Sequence, residues 1–209
     1  MKFFLLLAAL CLLVAAVQAH PKPVYSYEAQ KAFIPADLGT FYLGMPFRDF
    51  TKQFDISKAE ADTRFDFVSL NVPFEKGAIT GFTVQIAGIP RDQVDEMSFT
   101  EEVKKTDEDG YEYVAEYEHI DPSKVGDQGF VYAIYLNFEK DYGLKTYVLK
   151  TYGEGGEVRK PDDEFYFYDI QWTKKTSDGL TWLIRSFHEG DRRSLQLLGR
   201  ITGTEWALD

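Results

Sequence analysis

The residues best suited to chemistry are three histidines, His20, His119 and His188. If an export leader ends at Ala19, His20 becomes the mature N-terminus. Its free amine and imidazole could then chelate copper, with His119 or His188 supplying a second imidazole. His119 ends a predicted strand. His188 sits in Phe187-His188-Glu189-Gly190-Asp191, which reads as a hairpin turn. These three are the candidate metal ligands. The competing reading is plain: some residue must follow a cleavage site, and Pro21 suits an irregular arm, so that no cofactor is expected.

Other constellations are weaker. Asp107-Glu108-Asp109-Gly110 with Glu116 resembles part of a calcium loop, but Lys105 stands where its first acid belongs. The alternating Tyr111 to Tyr117 that follows is strand-like, where an EF-hand needs a helix. A charged hairpin turn explains the stretch better. Carboxylate pairs for glycoside hydrolysis must stand about 5–10 Å apart across a sugar, a distance that sequence spacing does not report. There is no Gly-x-Ser-x-Gly elbow. Thr151-Tyr152-Gly153-Glu154-Gly155-Gly156 lacks the lysine of a phosphate loop. No catalytic residue is assigned, and the expectation leans away from an enzyme.

Aromatic residues supply the candidate interface. Tyr166, Tyr168 and Trp172 share one face of a predicted strand, and Phe165 and Phe167 the other. One face packs in a core, and the other meets a second layer, a ligand or a partner. Core packing is the usual role of such residues. An exposed Tyr and Trp face would be a hot spot for binding.

The elements that position these residues follow from periodicity. Residues 20–38, with Pro21, Pro23 and Pro35, read as an extended arm. Phe47, Phe50 and Phe54 form one stripe of a short helix with Pro46 at its first turn. Val68 to Phe74 and Phe82 to Ile86 alternate around Glu75-Lys76-Gly77, a hairpin with one buried face. From Pro90 to Thr106 the pattern fits either a helical turn or a strand. Asp109-Gly110 suggests a tight type I′ hairpin leading into Tyr111 to Tyr117. Phe130 to Phe138 is the cleanest strand, and Leu144, Tyr147 and Val148 mark a second helix capped by Gly153. After a loop from Gly153 to Glu164, three strands close the chain: Tyr166–Trp172, Leu180–Phe187 and Ser194–Ile201, the first two joined at Asp178-Gly179. The expected fold is α+β, an antiparallel, strand-rich sheet with two short helices. It is arranged as two helix-plus-meander units over 39–120 and 121–209, because one sheet face alone would be marginal.

Leu43-Gly44-Met45 opening a helix, and Tyr152-Gly153 followed by Trp172 and the Asp178-Gly179 hairpin, resemble secreted bacterial helix-plus-hairpin domains. Among these are the BamE-like outer-membrane assembly lipoproteins and the tandem-repeat beta-lactamase inhibitor proteins. The resemblance touches about a fifth of the chain and implies a scaffold for protein binding. It assigns no functional residue, and this chain has neither the lipidated cysteine of the first group nor the disulfides of the second.

Compartment and partner class come from the ends and the charge. Lys2, an uncharged apolar run from Phe3 to Val17, and Val17-Gln18-Ala19 have the form of a cleavable signal peptide over residues 1–19. Leu10 before Cys11 argues against lipidation. Cleavage would remove the only cysteine, so an exported chain would rely on its core rather than on disulfides. The formal charge is −11 for the full chain and −12 without Lys2. Such a balance disfavours nucleic acid and anionic membrane as partners. The expectation is a secreted or periplasmic module that binds a protein. The alternatives are a carrier of a small apolar ligand and a copper enzyme using His20.

Overall fold

The computed structural model describes residues 24–63, 67–158, 168–188 and 191–204. It is an α+β fold built on an eight-stranded antiparallel sheet with a separate two-stranded ribbon. The strands are β1 (Glu60–Asp62), β2 (Val68–Val72), β3 (Ile79–Ala87), β4 (Ser98–Thr106), β5 (Glu112–Ile120), β6 (Phe130–Phe138), β7 (Glu157–Val158), β8 (Ile170–Lys175), β9 (Thr181–Phe187) and β10 (Ser194–Gly199). The large sheet runs β1-β2-β3-β6-β10-β9-β8-β7, and β4 and β5 form the ribbon.

Four α-helices are present among the described residues, where two were expected: α1 (Tyr27–Gln30), α2 (Phe47–Gln53), α3 (Arg91–Met97) and α4 (Leu144–Tyr152). Of the two extra helices, α1 is a single turn, too short for a hydrophobic period to reveal, and α3 lies in the stretch whose pattern fitted either a helical turn or a strand. Residues 24–38, read from their prolines as extended, contain α1, N-capped by Ser26, and a 3-10 turn at Ala36–Leu38. Gln30, Ile34 and Leu38 of this segment are buried. The ambiguous stretch after Pro90 holds both readings in succession, α3 and then β4.

Alternation explains which face is buried. Leu70, Val84, Ile134, Leu197, Ile184 and Trp172 are cross-strand neighbours in one row, all buried. The helices pack on this face. The Phe50 ring lies 6.3 Å from Phe82 and the Phe54 ring 5.2 Å from it, and Tyr152 stands 5.6 Å from Trp172. Edge-to-face geometries of this kind stabilise by about 1 kcal/mol each beyond the area they bury. The N-terminal segment completes the layer, with Phe33 5.9 Å from Trp182 and its carbonyl accepting from the Tyr152 hydroxyl at 2.8 Å.

The Asp109-Gly110 hairpin uses a different turn from the type I′ expected, and the Asp178-Gly179 hairpin uses the same turn as it does. In each, a glycine N–H donates to the residue three before it: Gly110 to Asp107 at 3.1 Å, and Gly179 to Thr176 at 3.0 Å. Only the glycines have positive φ, +87° at both. A type I′ turn needs positive φ at both central residues. The aspartates avoid that conformation, and the chain takes a type I turn closed by a left-handed glycine.

Candidate functional site

Of the predicted metal ligands, His119 and His188 are placed on different elements, at the end of β5 and just after β9. His20 lies outside the described residues. His119 sits at the base of the ribbon, buried, with Nδ1 2.7 Å from the Ala59 carbonyl and Phe99 stacked on the ring at 5.4 Å. Glu101 Oε2 stands 3.2 Å from His119 Nε2, outside hydrogen-bonding geometry. His188 ends β9 on another part of the molecule. No group of three or more His, Cys, Asp or Glu side chains able to hold a metal occurs among the described residues.

His188 is the histidine that borders a cleft. Its Nδ1 is 3.2 Å from Asp169 Oδ2, which also accepts the His188 backbone N–H, while Arg193 donates to the His188 carbonyl at 2.9 Å. Burial lowers the imidazole pKa below its ordinary value, aided by Lys145 and Arg193 and opposed by the Asp169 carboxylate. The ring is therefore neutral near pH 7, with its proton on Nδ1. It borders an open cleft of about 640 Å³ whose walls include Lys145, Leu149, Glu154, Val158 and Ile170. This is the pairing of a general base. However, Nε2 is buried, and no hydroxyl or thiol stands among the described residues lining the cleft. The pair ties the start of β8 to the end of β9.

The interface candidates divide. Tyr166 lies outside the described residues. Trp172 is buried on the helix face, its indole N–H donating to Gly153 at 2.8 Å, and Tyr168 is buried with the Arg185 guanidinium 5.3 Å from its ring. Both side chains therefore offer a partner little surface.

The other sheet face carries a feature that local spacing does not reveal. Pairing aligns Glu60, Asn71, Thr83, Tyr135, Gln196, Arg185, Gln171 and Glu157 as direct cross-strand neighbours, one from each of the eight strands. All are polar. On β2, β3, β6, β8, β9 and β10 their alternation partners include core residues, so this part of the row faces away from the helices. Glu60, Asn71 and Glu157 are exposed and the rest half-buried. With strands about 4.8 Å apart, the row spans roughly 34 Å. Neighbouring side chains brace it: the Tyr135 hydroxyl donates to Gln85 Oε1 at 3.0 Å, and Arg185 Nε donates to Gln171 Oε1 at 2.7 Å.

Chemically the row is an array of amides, the Thr83 hydroxyl, a phenol and a guanidinium, with carboxylates at both ends. It offers directional donors and acceptors on the sheet. The signal that could have found it was present in part, since Ser69, Asn71, Thr83 and Gln85 are the polar halves of two alternating strands. The missing information was register across strands far apart in sequence. No family model, curated protein or solved structure matches the chain.

Proposed function

We propose that this protein is an exported, non-enzymatic binding module that presents the helix-free face of its sheet to a protein partner. The observation carrying this reading is the eight-residue polar row. Its length of roughly 34 Å suits a standard interface, about 800 Å² on each partner. Tyr135 and Arg185, near its middle, are the residue types that dominate binding energy. Their braced side chains would lose little entropy on docking. The apolar leader at residues 1–19 supports export, and the acidic balance favours a protein over nucleic acid or anionic membrane.

The finer architecture we propose is two helix-plus-meander units. Reading the sheet from either edge inward gives four strands in chain order, β1-β2-β3-β6 and β7-β8-β9-β10, with α2 preceding the first set and α4 the second; this grouping puts β6 in the first unit, where the sequence boundary at residue 120 puts it in the second. The sets join through antiparallel pairing of β6 with β10. On this reading the row crosses both units at their junction.

The test is site-directed photo-crosslinking in the native host. A photoreactive residue at Gln196 should capture one discrete protein, and the same residue at Lys52, on the exposed side of α2, should not. Equal capture at both positions overturns the reading. A small molecule or copper ion travelling with the intact protein, detected by native mass spectrometry, would favour the carrier or the copper enzyme instead.

A further inference from the structure

We infer that the β4–β5 ribbon docks an extended, Lys- and Arg-rich segment of a partner protein along the free edge of β4. The surface is distinct from the polar row, and the inference stands independently of it.

The ribbon spans Ser98 to Ile120 in unbroken antiparallel register, about 30 Å long at 3.4 Å per residue. Its anchors to the body lie at its base: His119 Nδ1 to the Ala59 carbonyl, Thr63 Oγ1 to Glu118 at 2.8 Å, and the Asp121 N–H to the Met97 carbonyl at 2.9 Å. Beyond them the arm projects, with Tyr111 73% and Val114 53% exposed and Phe99 and Tyr113 nearly half exposed. A two-stranded ribbon is marginal in water, and an unpaired edge is a template for another strand. Among the described residues no strand pairs with the outer edge of β4.

Charge selects the occupant. Between Ser98 and Ile120 the ribbon carries eight acids against Lys104 and Lys105, a net −6. Lys105 is engaged by Tyr117, through its hydroxyl and with the ammonium 4.7 Å from the ring. A second copy would bring the same −6 to the same edge, so self-pairing is repelled. A cationic strand is attracted: its backbone extends the ladder, and its basic side chains meet Glu101 and Glu102 or lie over the rings of Phe99 and Tyr113.

The test uses the full-length exported chain and a blocked peptide of about ten residues alternating Arg with Val and Thr. Fluorescence anisotropy should show binding that weakens at least about tenfold between low salt and about 0.5 M NaCl. Hydrogen exchange should slow across 98–106 and stay unchanged in β6 and β10. The double variant Glu101→Lys with Glu102→Lys should bind about tenfold more weakly, and Tyr113→Ser should weaken binding as well. A peptide with Glu in place of Arg, tested on the unaltered protein, should not bind; it decides the question even if the variants misfold. Binding without protection of β4, equal binding of the acidic peptide, protection on β6 and β10 instead, no binding at millimolar peptide, or sedimentation showing dimers paired through β4 would each overturn the inference.

Discussion

Gln30 grips the backbone of Leu43 as a strand partner would. Its Oε1 accepts the Leu43 N–H at 2.9 Å, and its Nε2 donates to the Leu43 carbonyl at 3.0 Å. The same Nε2 donates to Asp178 Oδ2 at 3.1 Å, and Gln30 is fully buried. One amide thus ties the N-terminal segment both to the turn before α2 and to the hairpin between β8 and β9. Gln30→Met keeps the length and removes every bond, leaving a buried N–H, a carbonyl and a carboxylate under-satisfied. The expected loss is about 2–3 kcal/mol, measured by urea unfolding followed through tryptophan fluorescence.

Acid should act on the same tie. Burial pushes the Asp178 carboxyl up. Hydrogen bonds from Thr176 and Gln30 and from the N–H groups of Ser26 and Leu180 outweigh it and hold the pKa below the ordinary 3.8. A carboxyl depressed in the folded state contributes stability above its unfolded pKa, lost as pH falls through the folded value. Stability should therefore decline more steeply below about pH 3.8 in the unaltered protein than in Asp178→Asn, which cannot titrate there. Parallel unfolding curves between pH 5 and pH 2.5, on the order of half-unit steps, would measure this. Identical slopes would show that the carboxylate is not linked to folding.

Gly44 marks where the chain turns towards α2. Its φ is +87°, its N–H donates to the Val131 carbonyl at 2.7 Å, and a Cβ there would fall 2.2 Å from the Tyr25 ring. Gly44→Ala meets both a disfavoured backbone and a ring held at its Cβ end, so a cost of about 2–4 kcal/mol is expected. Trimming Tyr25 to Ala in the same chain removes the ring contacts, leaving the residue's Cβ at 3.0 Å and the backbone strain in place. The Gly44→Ala step should then cost about 1 kcal/mol, a difference that a double-variant cycle reads directly.

His188 should titrate below an ordinary histidine. Its folded pKa is depressed from 6.5 chiefly by burial. Folding stability is thus complete above about pH 6.5 and falls as pH drops through the folded value, because the unfolded chain binds the extra proton first. NMR titration of the ring Cε1–H should give a midpoint under 6.5. Asp169→Asn, removing the carboxylate that favours the charged form, should lower the midpoint further. A midpoint that rises in this variant would show that Asp169 does not act on the ring as the geometry requires.

Much of the architecture was legible where periodicity is local. Phe47, Phe50 and Phe54 recur on one helical face, and α2 forms with all three buried. Leu144 and Val148 mark α4, and Gly153 caps it. Phe130 to Phe138 alternates and becomes β6. The short pieces were not legible. α1 is four residues long, β1 three and β7 two, and too few side chains repeat in any of them for a period to show. Both Asp-Gly sites were identified as hairpins, yet the turn type depends on φ at the aspartate, which the dipeptide does not dictate.

The amino-acid order by itself determined the class of the molecule, since alternation and helical stripes depend only on neighbours within a few residues. An α+β, antiparallel chain with a strong negative balance follows from that level alone. Tertiary structure decided everything that depends on who pairs with whom. It aligned Thr83, Tyr135, Gln196 and Arg185 into one polar row, sent Trp172 into the core, separated His119 from His188, and left the β4–β5 ribbon outside the main sheet. The physical reason is register. A one-residue slip in any strand exchanges its two faces, and what pins the central strands is the burial of their apolar side chains against partners distant in the chain, as Ile134 is held between Val84, 50 residues before it, and Leu197, 63 residues after it.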